Sequence, residues 1–236
     1  MKTRKTKTPH IQPDAVIKAA LEILDAEGLE NVTLRRIAAK LNVQAPALYW
    51  HFKNKQDLTD DMAQAILTSA KLDSITAPNE INTWPTWLAD LMHCLRNALI
   101  AHKDGGRVVA GATYGRAYTL EKTTILVTKV LEQAGFDRLH ASMAASTTID
   151  YIWGFVIEEQ AGTEPEQSTS ASQNSQEIQA IRTNSEDDAF LSDIMKEYHK
   201  LTPAEIFDWG LQVIITGLKL TLKNTHVPKD KKKYAT

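Results

Sequence analysis

Apolar residues recur every three or four positions along most of the chain, and no stretch alternates with the period of two that a half-buried strand needs. The first such segment opens at Pro13 and closes at Gly28, with Val16, Ala20, Ile23 and Leu24 on one face. A second carries Leu34, Ile37, Ala38 and Leu41, with Thr33 placed to cap it. Asn42 tolerates the left-handed backbone that ends a helix, and Pro46 stands where a third can begin, because its missing N–H is not needed there. Lys53, Asn54 and Lys55 hold that third helix to about two turns, too short to stand alone. Asn54 then caps a fourth helix over residues 55–72, with Leu58, Met62, Ile66 and Leu67 on its apolar face and Asp57 complementing its positive end.

Residues 73–83, DSITAPNEINT, form a polar linker, and the domain boundary is expected there. Beyond it the period of a helix returns over residues 84–103, 120–132, 137–161, 189–200 and 203–223. The pattern predicts an all-α protein: a three-helix head with a helix-turn-helix and its connecting helix over residues 12–72, and a larger helical domain over residues 73–226. Residues 162–188 hold six acidic residues, one Arg and no aromatics, and read as a mobile loop. Residues 1–11 read as a flexible basic arm, residues 227–236 as a basic tail.

A hydrophobic content of 43% over 236 residues supports a sizeable core. No run approaches the roughly eighteen apolar residues of a membrane span, so the chain is expected to be cytoplasmic with no membrane partner. Its lone cysteine, Cys94, reads as a buried structural thiol. His93, His102 and His140 lack close ligand spacing, so neither metal nor cofactor is expected. The net charge of −2 conceals an asymmetry: residues 1–55 hold ten Lys and Arg against five Asp and Glu, net +5, which leaves −7 for the remainder. Positive charge thus gathers on a head whose short third helix begins with the small residues Ala45 and Ala47. Such a helix suits the major groove of double-stranded DNA, with Tyr49, Trp50, His51 and Lys55 as contacts and Thr33 and Arg35 added from the second helix.

The run Leu48-Tyr49-Trp50-His51-Phe52-Lys53-Asn54-Lys55, following Thr33, Arg35, Ala38, Lys40 and Leu41 at fixed offsets, resembles the helix-turn-helix of the tetracycline-repressor (TetR) family and is most similar to its tetracycline-repressor branch. The similarity continues through Lys103-Asp104-Gly105, Gly135-Phe136, Gly154, Val156, Glu158 and Gln160. The resemblance implies a homodimer whose helices over residues 137–161 and 203–223 form a four-helix bundle, with Ala141, Ala144 and Ala145 permitting close approach. It also implies a near-palindromic operator and release by a small-molecule inducer. Where the family has a glutamine before Pro46 this chain has Ala45, so its operator preference is expected to differ, with Gln44 reading from a neighbouring direction.

The family's ligand anchors are replaced. Val109 stands where a magnesium-binding histidine is expected, Ala112 at the next polar anchor, Leu91 and Val127 at drug-binding asparagine and glutamine positions, and Ala70 or Lys71 at a further histidine. Only Glu158 persists. The resemblance therefore implies an apolar or cationic lipophilic inducer rather than magnesium-tetracycline, in a cavity lined by Leu91, Leu95, Val109, Ala112 and Val127. Trp87, Tyr114, Trp153 and Phe155 are candidate aromatic walls, and Glu158 a candidate anionic anchor. Two other readings stand beside this one: a DNA-binding regulator controlled by a protein partner, and an all-α enzyme using Glu158 or His93, for which no catalytic constellation can be assembled from spacing.

Overall fold

Helix ends fall where single residues dictate them. In the computed structural model, which describes residues 11–113, 115–162 and 186–225, α1 (Pro13–Glu27) starts on Pro13 and stops at Gly28, which takes φ 86°. Next come α2 (Leu34–Lys40), α3 (Ala45–Leu48) and α4 (Lys55–Ser69), then α5 (Trp84–Ile100), α6 (Gly105–Ala110), α7 (Tyr118–Ala134) and α8 (Arg138–Ala161). Past the undescribed stretch lie α9 (Glu186–Tyr198) and α10 (Pro203–Thr225). No strand occurs among the described residues, in keeping with the all-α expectation. The basic arm, most of the 162–188 loop and the basic tail lie outside the described residues.

Two expectations need correction. The third helix ends at Leu48, whose carbonyl accepts from the N–H groups of both His51 and Phe52 at 2.9 Å, so Tyr49, Trp50 and His51 sit on the turn that follows it. The fourth helix stops at Ser69; Lys71 adopts a left-handed φ of 56° and a single 3-10 turn, Leu72–Ser74, follows. Trp87 Nε1 donates to the Thr76 carbonyl at 2.8 Å, and the first compact unit runs on to Gln160, with a second from Ala161.

Within the first unit α4 is the hub, packing against α1, α5, α6 and α7. Leu58, Met62, Ala63, Ile66 and Leu67 are buried. Its polar side also faces protein: Asp60, 1% exposed, accepts from Thr113 N at 2.7 Å, and Gln64 exchanges hydrogen bonds with Thr119. In α8, Ala141, Ala144 and Ala145 are 0–8% exposed within the single chain, whereas Leu139 and Met143 are 67% and 57% exposed. The three alanines are therefore used inside the protomer, and the larger pair is what α8 offers outward. In the second unit Phe207, Leu211 and Ile215 of α10 are buried, while Trp209, Val213 and Leu220 are exposed.

The α5–α6 corner depends on one glycine. A Cβ on Gly105 would lie 2.1 Å from the Leu99 carbonyl oxygen, a backbone atom that cannot swing aside. Gly105→Ala is expected to destabilise the fold by about 2 kcal/mol or more, as overpacking against fixed atoms does; urea denaturation followed by circular dichroism measures it.

Candidate DNA-binding surface and effector core

The helix-turn-helix is locked by its own backbone. Thr33 Oγ1 accepts from Arg36 N at 3.3 Å, capping α2. At its other end Asn42, at φ 53°, lets Val43 N reach the Ala38 carbonyl at 2.9 Å and Asn42 N the Ala39 carbonyl at 3.1 Å, the paired bonds of a Schellman turn. Leu48 and Phe52 are 0% and 1% exposed and pin α3 and its following turn to the core. That leaves Tyr49, Trp50 and His51 outside, Trp50 at 88% exposure. Pro46 is exposed, and Ala45 and Ala47 are half-buried.

Thr33, Arg35, Tyr49 and Lys55, drawn from three separate elements, line one concavity of about 380 Å3 over Val32, Leu34 and Leu58. Asn54 completes the rim, its Oδ1 accepting from Asp57 N at 2.8 Å. The cations of the head are not equivalent. Arg36 is engaged by Glu27 and Asn31, and Lys40 by Glu22 at 3.0 Å. Arg35, Lys53 and Lys55 are exposed and their side chains make no ion pair among the described residues. Asn54 on this rim and Lys53 in the turn before it were not among the expected contacts; their place inside the Leu48–Lys55 run was the available signal.

The expected effector residues divide differently. Leu91, Leu95, Val109 and Val127 are 2%, 0%, 1% and 0% exposed. A void wide enough for water would leave accessible surface on its walls, so in this conformation the four are packed core. Trp87, Ala112, Trp153 and Phe155 are half-buried, and Tyr114 lies outside the described residues. Trp87 anchors the 73–83 stretch through Thr76. Trp153 Nε1 is buried with no hydrogen-bond partner among the described residues, leaving one unused donor.

Glu158 is exposed. The better-shielded anion is its half-buried neighbour Glu159, which accepts from Arg96 Nε at 3.1 Å, while the Arg96 guanidinium lies 5.8 Å from the Phe155 ring centroid. Only 8% of the Arg96 side chain is accessible. Sequence reasoning passed over this pair. The signal was Arg96 itself, a charged residue three positions before Leu99 and four after Met92 on a buried stripe, which requires a counter-charge. Next along α8, Gln160 donates to the His102 carbonyl at 2.7 Å and accepts from Gly106 N at 3.1 Å, tying α8 to the α5–α6 corner. Cys94 is half-buried, its thiol pKa raised by burial, and its Sγ lies 3.6 Å from the Ala70 carbonyl.

Residues 16–62 match the family model described as bacterial regulatory proteins, tetR family, and residues 77–222 match the tetracyclin repressor-like C-terminal domain. The class C tetracycline repressor protein of Escherichia coli is 36% identical over 223 residues, spanning 93% of this chain and 97% of that one. The crystal structure of TetR from Acinetobacter baumannii AYE superposes with a TM-score of 0.67 at 30% identity, covering 90% of this chain and 98% of that one. BioQ, solved with its double-stranded DNA operator, superposes with a TM-score of 0.62 at 27% identity, covering 88% and 98%.

The unequal cations give a discriminating expectation. Arg35→Ala and Lys55→Ala should each weaken DNA binding and reduce the slope of log affinity against log salt by about one unit. Arg36→Ala should leave that slope nearly unchanged and lower thermal stability instead. Fluorescence anisotropy across a salt series, with melting curves alongside, separates the two classes.

Proposed function

The chain belongs to the tetR family of bacterial regulatory proteins, and on that premise we propose that it is a repressor that grips a near-palindromic operator as a homodimer and releases it when a small molecule enters its helical domain. The observation that carries the DNA half is the convergence of Thr33, Arg35, Tyr49 and Lys55 around one concavity whose cations have no internal partners. Residues 12–72 act as the DNA-reading head with its lever α4, and residues 73–226 as the ligand-binding and dimerisation part. The operator in the BioQ structure supports the first role by analogy.

Dimerisation is assigned to α8 and α10. Leu139 and Met143 on one, and Trp209, Val213 and Leu220 on the other, expose apolar side chains that water disfavours, as faces awaiting a partner do. Isologous pairing of these faces sets two heads on one duplex, with half-site centres about 34 Å, or a multiple of it, apart. Selection of bound DNA from a random pool should return a near-palindrome with that spacing. Sedimentation at micromolar concentration should show a dimer, and the double substitution Leu139→Asp with Met143→Asp should yield helical monomers; a wild-type monomer would remove this assignment.

The effector is placed between α5, α7 and α8. The side chains of Leu91, Val109 and Val127 offer no hydrogen bonds, and the Trp153 indole N–H on α8 is a buried donor without a partner among the described residues, which favours a flat lipophilic molecule over a hydroxylated metal chelate. Because the four apolar residues are packed shut here, such a molecule must open the core, and α5, α6 and α7 all pack on α4. The closed packing also favours a second reading, in which a protein partner takes the effector's place. Thermal-shift measurements decide between them. Lipophilic dyes should stabilise the protein without added metal; stabilisation by magnesium-tetracycline alone, abolished by a chelator, would overturn the ligand class, and no response to any lipophile would leave the protein-partner reading.

A further inference from the structure

The outer faces of α1 and α4 enclose a groove of about 590 Å3 that none of the roles above uses. That volume falls in the range of sites for drug-sized ligands. Ile17 and Leu21 from α1 and Ala65 from α4 form an apolar floor. Four carboxylates stand along the walls, Asp14, Glu22, Asp25 and Asp61, against the single lysine Lys18 and His102. Two of the four are already answered: Glu22 by Lys40 at 3.0 Å, and Asp25 by His102 at 3.1 Å and by Lys103 N at 3.2 Å.

Asp14 and Asp61 are left over. They come from opposite walls of the groove, and neither has a hydrogen-bond or ion-pair partner among the described residues. At Asp61 desolvation raises the carboxyl pKa above its ordinary value, Arg116 opposes this, and Asp60 and Asp57 add to it, so a positive charge placed nearby is favoured. An apolar floor between two exposed carboxylates without direct partners discriminates by chemistry. A neutral molecule gains only the floor, an anion is repelled, and a lipophilic cation satisfies both parts.

We infer that the groove between α1 and α4 binds a lipophilic cation, its apolar body lying on Ile17, Leu21 and Ala65 and its charge between Asp14 and Asp61. The site is separate from the effector core between α5, α7 and α8 and does not depend on that assignment. Occupancy bridges the first helix of the head to α4 and holds the two at the spacing seen here.

Isothermal titration of the full chain with tetraphenylphosphonium, and with triphenylphosphine oxide as an uncharged molecule of similar build, tests the inference. The cation should bind, more weakly as salt is raised, and the oxide should bind much less. Asp14→Asn with Asp61→Asn should lower affinity for the cation about tenfold, two exposed charge pairs each contributing a small factor. Ala65→Trp, which fills the floor, should abolish binding, and Trp153→Ala in the effector core should leave it intact. Melting curves and DNA retention identify any variant that fails to fold, and the two groove variants probe the site independently. Absence of cation binding, or binding lost in Trp153→Ala and kept in the double Asn variant, overturns the assignment. Binding that emerges only after removal of residues 1–9 overturns it too, and gives the groove to the chain's own basic arm.

Discussion

A carboxylate removed from water must be compensated where it sits, and the middle of α4 contains one. Asp60 is 1% exposed; its compensation comes from Gln56 on its own helix at 2.9 Å and, across the chain, from Thr113 N at 2.7 Å and Arg116 at 3.6 Å. Gln56 and Gln64 lie one turn before and one turn after, reaching the Gly111 carbonyl and Thr119. Arg116 also holds Asp57, whose carboxyl it keeps below the ordinary range together with the N–H of Lys53. One face of α4 is thus fastened, turn by turn, to the connection between α6 and α7. Stranding a buried charge is worth about 3–5 kcal/mol, so α4 and that connection move together or not at all.

The opposite end of the chain of contacts is set by α8. Gln160 bonds both sides of the α5–α6 corner, and Arg96 with Glu159 joins α5 to α8 through a pair mostly hidden from water. Gly105 allows that corner to close to backbone contact. Prying α5, α7 and α8 apart therefore strains α6, and α6 packs on α4. A ligand can drive this only by binding the opened state more tightly than the closed one. On the proposed reading, the polar fastening of α4 is what would carry such an opening to the head.

Helix ends were legible wherever one residue settles the local backbone: Pro13 and Gly28 around α1, Asn42 after α2 and Asn54 before α4. The short α6 was not, because GGRVVA carries no periodicity long enough to detect and owes its form to the Gly105 contact with Leu99. Periodicity reported which faces of α5 and α7 are buried but said nothing of how well they are filled, so Leu91 and Val127 could be read as cavity walls. Arg96 and Glu159 are separated by 63 positions, and no local pattern links residues so distant. The head was read more fully than the core because its chemistry lies within one contiguous run. Even there, the sequence pointed to Arg35 but carried no sign that the equally exposed Arg36 is paired with Glu27 and Asn31.

The internal engagement of Arg36 by Glu27, and of Lys40 by Glu22, bears on how such a protein finds its site among all others. Contacts to phosphate strengthen binding to every sequence alike, whereas base contacts strengthen only the correct one. Arbitrary sequence outnumbers an operator by a factor on the order of a million or more, so each additional free cation would hold more of the protein on irrelevant DNA. Pairing two of its cations with carboxylates of its own surface would keep the head's grip on random sequence light. Occupancy of the operator then depends less on how many copies of the protein are made.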